Sequence, residues 1–267
     1  ETVPGPPGEL VPMFNESVRG FLKKYSDGAI VSHTVNIIGM GESSVAEEIE
    51  DMFDAKNPTV APYAKSGEVR LRITAKAETA DEADKMCAPV VDEICSRLGD
   101  VVYGTDMNSI EERVVALLKE KGKKIATAES CTAGYIPKRL TDIPGASEVF
   151  ECGIVSYSND IKTKLLGVSP KTLETYGAVS EQTAREMALG AKHVSGADIA
   201  ISTTGLAGPG GDGILPGGLS FAAVTDGERT VVEKIVTGHE NDREYNRYVT
   251  ASRALNLARL MLEEKIK

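Results

Sequence analysis

Thr127-Ala-Glu-Ser-Cys-Thr-Ala-Gly134 decides how this chain folds. The stretch follows a basic stop, Lys121-Gly-Lys-Lys124, and a short apolar run, Ile125-Ala126. A segment of helical character, residues 135–140, comes directly after it. The pattern is strand, tight turn, helix start. Such a turn lifts a nucleophile into the open and aims backbone N–H groups at an anion. Here it presents Ser130, Cys131 and Thr132 in a row, just after the acidic Glu129. By spacing alone, one of the two hydroxyls serves equally well as a helix N-cap, a position that Ser and Thr favour.

Outward from this turn the pattern is α/β. Residues 109–121 read as a helix with Ile110, Val114, Val115, Leu117 and Leu118 on one face. A strand at 125–128 and a helix at 134–140 follow, then a strand at 152–157 and a helix at 159–166. Residues 180–195 form a helix opened by Ser180-Glu-Gln-Thr183. An apolar strand at 198–203 runs straight into a glycine loop. Segments 219–225 and 230–236 read as a hairpin around Asp226-Gly227. A long helix spans 241–267, with Tyr248, Ala251, Leu255, Ala258 and Leu262 as its apolar face.

Upstream, residues 26–105 read as a separate β-α-β-β-α-β unit, with strands at 29–38, 59–64, 68–77 and 100–103. Its second helix, 79–98, opens with the capping-box spacing Thr79-x-x-Glu82. Residues 1–25 carry Pro4-Gly-Pro-Pro-Gly8 and then an amphipathic stretch from Leu10 to Tyr25. They read as the tail of something that begins upstream.

Bulk composition narrows the function classes. The 267 residues fit two domains, and a hydrophobic content of 41% supports a sizeable core. A net charge of −10 speaks against nucleic-acid binding, which needs clustered Lys and Arg. The unit at 26–105 is the more acidic part, with 15 acidic and 7 basic residues. No apolar run is long enough for a membrane-spanning helix, so no membrane partner is expected. Cys87, Cys95, Cys131 and Cys152 lack C-x-x-C spacing, so neither a zinc site nor a disulfide framework is indicated, and a reducing cytoplasm fits best.

Three further constellations bear on chemistry. Ser156-Tyr-Ser-Asn159 with Lys162 lies at a second strand end, where a desolvated lysine can act as base for a serine. The bland reading of the same residues is a capping Asn159 and a solvated Lys162. Thr203-Thr-Gly-Leu-Ala-Gly-Pro-Gly-Gly-Asp-Gly213 places glycines after a buried strand, letting backbone N–H groups approach a phosphate or oxyanion. Arg243 and Arg247, near the start of the last helix, could clamp a phosphate or form a solvated face. Neither His33, His193 nor His239 lies beside the serine turn, so a Ser–His–Asp triad is not indicated and a serine–lysine pair fits better.

Together these motifs resemble the C-terminal domain of the CinA family, the nicotinamide mononucleotide deamidases. The matching residues are Ala128-Glu-Ser-Cys-Thr132, Pro144-Gly-Ala-Ser147, Tyr157-Ser-Asn159 with Lys162, Leu165-Leu-Gly-Val168, Gly177-Ala-Val-Ser-Glu181 and Thr204-Gly-Leu-Ala-Gly-Pro-Gly-Gly211. They cover about residues 108–265. Pro4-Gly-x-x-Gly-Glu-Leu10 and Pro12-Met-Phe14 resemble the end of the family's N-terminal molybdopterin-binding-like domain, and the middle unit resembles its KH-type domain.

The resemblance implies a fold and a reaction. The fold is a three-layer α/β amidohydrolase domain at 106–267, a small α+β KH-type domain at 26–105, and a remnant tail of the first domain at 1–25. The reaction is hydrolysis of the carboxamide of nicotinamide mononucleotide to nicotinate mononucleotide and ammonia, a nicotinamide-nucleotide amidase step in pyridine nucleotide salvage. Carried residue by residue, Ser130 is the nucleophile, Lys162 its base, and Tyr157 and Thr204 lie in the catalytic site. Glu129, Cys131, Thr132, Gly134, Asn159, Gly205, Gly208, Gly210, Gly211, Arg243 and Arg247 are expected around the substrate. No cofactor and no metal are implied, and a cytoplasmic homodimer is. With only residues 1–25 of the first domain present, the separate nucleotide-pyrophosphate hydrolase activity that family members can carry there is not expected.

The chain departs from the family pattern at two places, and the second, in the 211–218 loop, suggests the alternative, a nucleotide-binding regulatory module with a degenerate site. The family's usual Gly-Gly after Cys-Thr is Ala133-Gly134, a change that Gly134 is expected to absorb. Its familiar Pro-Val-Gly is Pro216-Gly217-Gly218, which is expected to loosen the loop. The middle unit also lacks a basic G-x-x-G loop, and its acidity suits a spacer or dimer-building unit better than a nucleic-acid binder. Cys131 remains the alternative nucleophile.

Overall fold

Alternating apolar residues along 29–38 and 68–77 build the two central strands of a four-stranded antiparallel sheet. The computed structural model describes residues 5–23, 25 and 28–266. Residues 1–4, 24, 26, 27 and 267 lie outside the described residues, so parts of the expected tail, the start of the middle unit and the last helical position do as well. The chain enters through α1 (Pro7–Met13) and α2 (Arg19–Lys23), joined by a π turn at Phe14–Val18. No side chain described in this stretch is buried, and Val11, Phe14, Phe21 and Leu22 are exposed.

The first unit runs β1 (Ala29–Ile38), α3 (Glu42–Glu48), β2 (Thr59–Lys65), β3 (Glu68–Ala77), α4 (Ala80–Leu98) and β4 (Val102–Thr105). The sheet order is β2-β3-β1-β4, the split β-α-β arrangement. Ala29 pairs with Ala77 and Ile38 with Glu68, which puts Val35, Ile37, Leu71 and Ile73 on the helix-covered face with Ile94 and Leu98 of α4. The expected capping box closes: Glu82 N–H donates to the Thr79 hydroxyl at 3.2 Å and Thr79 N–H to the Glu82 carboxylate at 3.1 Å.

The second unit runs α5 (Ile110–Lys121), β5 (Ile125–Glu129), α6 (Tyr135–Thr141), β6 (Phe150–Val155), α7 (Asn159–Leu166), α8 (Pro170–Tyr176), α9 (Glu181–Ser195), β7 (Ile199–Gly205), β8 (Leu219–Thr225), β9 (Thr230–Val236) and α10 (Arg243–Leu262). Its sheet order is β6-β5-β7-β8-β9, with β5 parallel to both neighbours and the remaining pairs antiparallel. Ile125 joins the core under α5, α6 and α10, while Ala126 and Ala128 face Met187 and Ala191 of α9. The result is three layers. The chain leaves β5 for β6 on one side and reaches β7 on the other, so β5 is a switch point, where open α/β sheets form a crevice at the strands' carboxyl ends.

Four elements differ from the sequence reading, the first being the strand expected at 100–103, which occupies Val102–Thr105. The strand expected at 152–157 occupies Phe150–Val155, because parallel pairing with β5 starts at Ile125 and Phe150 and frees Tyr157 from the sheet. Helix α8 carries no apolar periodicity, since none of its residues is buried; Pro170 at its first turn is its sequence mark. Finally, α10 is buried on nearly every side rather than along one stripe: Ser252, Ala254, Asn256, Leu257 and Arg259 are buried beside the expected apolar face. It lies between the two units. The Arg259 guanidinium donates to the carbonyls of Asp100 (2.7 Å) and Val102 (3.3 Å), and the Tyr248 hydroxyl donates to Glu68 (3.3 Å).

Candidate active site

The turn after β5 is tied to β7 at two residues. Ser130 N–H donates to the Thr203 carbonyl at 2.9 Å, and the Thr132 hydroxyl lies 2.6 Å from that of Thr203. Ala133 and Gly134 both take left-handed backbone angles, with φ of 48° and 85°. The expectation that Gly134 absorbs the family's missing glycine therefore fails: each of the two positions needs the left-handed conformation for itself. Alanine holds it against the Cβ–carbonyl contact that costs about 1–2 kcal/mol.

Glu129 is 0% exposed. Burial pushes its carboxyl above the ordinary value, opposed by hydrogen bonds from the Thr132 hydroxyl and from the N–H groups of Ile136, Tyr135 and Gly134. Cys131 is buried too, and burial pushes its thiol up to about 12. A thiol in that state is a poor nucleophile near neutrality, so the geometry favours Ser130 over Cys131.

Lys162 comes from the first turn of α7, whose N-cap Ser158 accepts the Ile161 N–H. Its amine is 1% exposed, lies 3.1 Å from Ser130 Oγ and donates to the Ser156 carbonyl at 2.8 Å. Neither partner is charged, so burial lowers its pKa from 10.5. The solvated lysine of the bland reading is excluded. A desolvated amine within hydrogen-bond reach of a hydroxyl can take that hydroxyl's proton.

The cleft over this pair has a volume of about 310 Å³. Ser130 and Cys131 form its floor, Tyr157 and Arg243 part of its rim, and the chain from Gly205 to Gly211 its far wall. Gly210 N–H donates to the Glu240 carbonyl at 3.0 Å. A Cβ at Gly208 would meet that same carbonyl oxygen at 2.3 Å, and one at Gly217 would meet it at 2.5 Å. Gly217 therefore closes the loop tightly instead of loosening it, correcting the expectation from the 216–218 departure. Asn246, a residue the sequence reading missed, anchors the loop from α10 by donating to the carbonyls of Ala207 (2.9 Å) and His239 (2.7 Å). A polar residue three positions before Val249 gave no signal apart from its place in a buried helix.

The structure sorts the remaining candidates by position. Gly205, Gly208, Gly210 and Gly211 line the cleft with Ser130, Cys131, Tyr157 and Arg243. Arg243 donates to the Gly208 carbonyl at 2.7 Å and to the Tyr157 hydroxyl at 3.3 Å, spanning the rim. Thr204 turns away and donates to the Ala178 carbonyl at 2.6 Å. Arg247 donates to the Thr132 carbonyl at 2.7 Å and stacks on Tyr135, beneath the turn. Asn159 faces an outer groove with Thr163 and Pro170.

Residues 107–262 match the family model described as the CinA C-terminal domain, and residues 32–104 match that described as the damage-inducible protein CinA KH domain. A Clostridium beijerinckii protein described as competence-damage inducible is 53% identical over 242 residues, covering 90% of this chain and 59% of its own length. A CinA-like protein of Desulfovibrio desulfuricans is 45% identical over 259 residues, 96% of this chain and 61% of its own length. The chain thus spans about three fifths of the length of these curated relatives. Among solved structures, the competence/damage inducible protein CihA from Agrobacterium tumefaciens superposes with a TM-score of 0.55 at 38% identity, covering 58% of this chain and 93% of that one.

Proposed function

The chain belongs to the CinA family, and on that premise we propose that its cleft hydrolyses the carboxamide of nicotinamide mononucleotide, releasing ammonia and nicotinate mononucleotide. The observation that carries this reading is the Ser130–Lys162 pair: a hydroxyl 3.1 Å from a buried amine that has no charged partner and a lowered pKa.

In the proposed sequence, Ser130 Oγ attacks the carboxamide carbon while Lys162 takes the hydroxyl proton. The tetrahedral oxyanion is stabilised by N–H groups of the turn and of the 205–211 wall. Collapse breaks the C–N bond, and Lys162 returns the proton to the departing amine, which leaves as ammonia. Lys162 then deprotonates a water that attacks the acyl carbon, the bond from that carbon to Ser130 Oγ breaks, and Lys162 returns the proton to Oγ. Arg243 at the rim supplies charge for the nucleotide phosphate. The acidic middle unit acts as a spacer that α10 holds against the hydrolase unit, and the assembly is a homodimer.

Ammonia release from nicotinamide mononucleotide, measured beside Ser130→Ala and Lys162→Ala, tests the reaction. Both variants are expected to lose at least about 10³-fold in kcat with the fold retained. Full activity in either excludes the pair as the engine. No turnover by any of the three, with the nucleotide still raising Tm, supports the regulatory binding module instead.

A further inference from the structure

The proposed chemistry makes no use of Glu129, a fully buried carboxylate adjacent to its nucleophile. The place of that carboxylate is specific. Helix α6 starts at Tyr135, and its N-cap is Gly134, which has no side chain with which to cap. The first N–H groups of a helix lack intrahelical acceptors, and in a dry interior water cannot replace them. Glu129 fills the gap from five residues upstream, its Oε2 accepting the Ile136 N–H at 3.2 Å. Through its backbone, the same residue reaches the other half of the pair. The Glu129 carbonyl accepts the Ser156 N–H at 2.8 Å, and the Ser156 carbonyl accepts the Lys162 amine, also at 2.8 Å.

Resting on the Ser130–Lys162 reading, we propose that Glu129 is the positioning residue of the nucleophile turn. Its carboxylate ties the start of the turn to the start of α6, and its carbonyl ties the turn to the strand end that holds the lysine. Ser130 is the first residue of the stretch between these two ties, and its Oγ lies 3.1 Å from the amine because both ends of that stretch are fixed. The carboxylate itself transfers no proton. Its Oε1 has no hydrogen-bond partner among the described residues. A glutamine can therefore present its oxygen to the α6 N–H groups and place its amide nitrogen where Oε1 stands.

Two rates measured on Glu129→Ala, Glu129→Gln and Glu129→Asp test this. One is ammonia release, resolved into kcat and KM. The other is covalent labelling of Ser130 by a fluorophosphonate, followed by intact mass. A misplacement of about 1 Å can cost about 10²-fold, so Glu129→Ala is expected to lose about 100-fold in kcat and in labelling rate, with KM within about threefold. Glu129→Gln is expected within about tenfold of wild type in both rates, with an unshifted pH midpoint. If Glu129→Ala does not fold, Glu129→Asp reads the tether: it is expected to label about tenfold more slowly, being one methylene short. A folded Ala or Asp variant that labels at the wild-type rate overturns the proposal. So does a Gln variant as dead as Ala, which would make the carboxylate a proton-transfer group. Labelling without ammonia release in the wild type sinks the amidase reading alone, and the labelling series still decides the role of Glu129.

Discussion

Arg259 and Lys162 are the largest side chains fully withdrawn from water, at 0% and 1% exposed, and the protein treats them in opposite ways. At the junction of the units, the Arg259 guanidinium donates to Asn256 Oδ1 (2.9 Å), to Glu263 (2.9 Å) and to the carbonyls of Asp100 and Val102. Burial works to raise the Glu263 carboxyl, yet Arg113, Arg259 and Lys265 together hold it below its ordinary value. The site around Lys162 supplies only two neutral oxygens. Burial lowers the Arg259 pKa as it lowers that of Lys162, but the Glu263 charge opposes the shift and a guanidinium keeps its proton in a protein and locks geometry. A buried amine without a counter-charge gives its proton up and becomes a base. The same burial thus yields architecture in one place and reactivity in the other.

The largest effect expected from this contrast is in Lys162→Met. Its kcat falls by at least about 10³-fold. Its stability changes by no more than about 2 kcal/mol, since the relieved desolvation of the amine offsets the donor lost by Ser156. Denaturant unfolding beside the activity assay checks both halves. A large loss of stability would make Lys162 structural and dissolve the contrast.

Arg259→Met should behave in the opposite way. Removing the guanidinium leaves the Asp100 and Val102 carbonyls without their donor and the Glu263 carboxylate short of a partner. A loss of about 3 kcal/mol is expected by urea unfolding, with kcat per folded molecule unchanged. A loss under about 1 kcal/mol would show that the matched cation contributes little.

The pH profiles separate the two regions further. The Lys162 pKa is lowered on folding, so the native state resists protonation there. The resulting cost is fully present below the folded value and is relieved as pH rises toward 10.5. The rate should likewise climb as pH passes the folded value, and Lys162→Met should remove that limb from residual activity. In the first unit, His33 lies 2.6 Å from Asp106 and 2.9 Å from Asp84. The hydrogen bond that its ring donates to Asp106 leads in raising its pKa above 6.5. Its contribution is fully present below 6.5 and is lost as pH rises through the raised folded value. The Tm difference between wild type and His33→Gln should therefore shrink with rising pH. A difference that stays constant from pH 5 to 9 would remove His33 from the account.

The smallest effect is expected at Ala133. Glycine relieves the left-handed strain but adds freedom to the unfolded chain, so Ala133→Gly should gain about 0.5–1 kcal/mol with kcat within about twofold. A loss of stability would show that the turn already accommodates the alanine.

Local patterns made much of the fold readable without coordinates. The 110–121 face, the Thr79-x-x-Glu82 box and the Asp226-Gly227 hairpin each encode their element within a few residues, and each is present. Helix α8 was invisible because it buries none of its residues and so leaves no periodic trace. The role of α10 was only half visible. Ser252, Asn256 and Arg259 are buried for different reasons: Arg139 of α6 donates to Ser252, while Arg259 donates to Asn256 and to the carbonyls of Asp100 and Val102 in the first unit. At the candidate site, the motifs pointed to Ser130 and Lys162. They did not show that Thr204 and Arg247 donate to the backbone carbonyls of Ala178 and Thr132.

Read as a string, the chain already specified an α/β unit, a small α+β unit before it and a serine turn with a candidate lysine. Period, capping and turn chemistry act within one or two turns of chain, and residue types alone record them. Tertiary structure decided the rest: that Lys162, 32 positions from Ser130, meets it in a dry setting, and that Gly217 closes the loop on Glu240. It also decided that Arg259 faces a partner domain and not solvent. Those outcomes depend on desolvation and on hydrogen-bond partners brought from distant segments, and both exist only once the layers have packed.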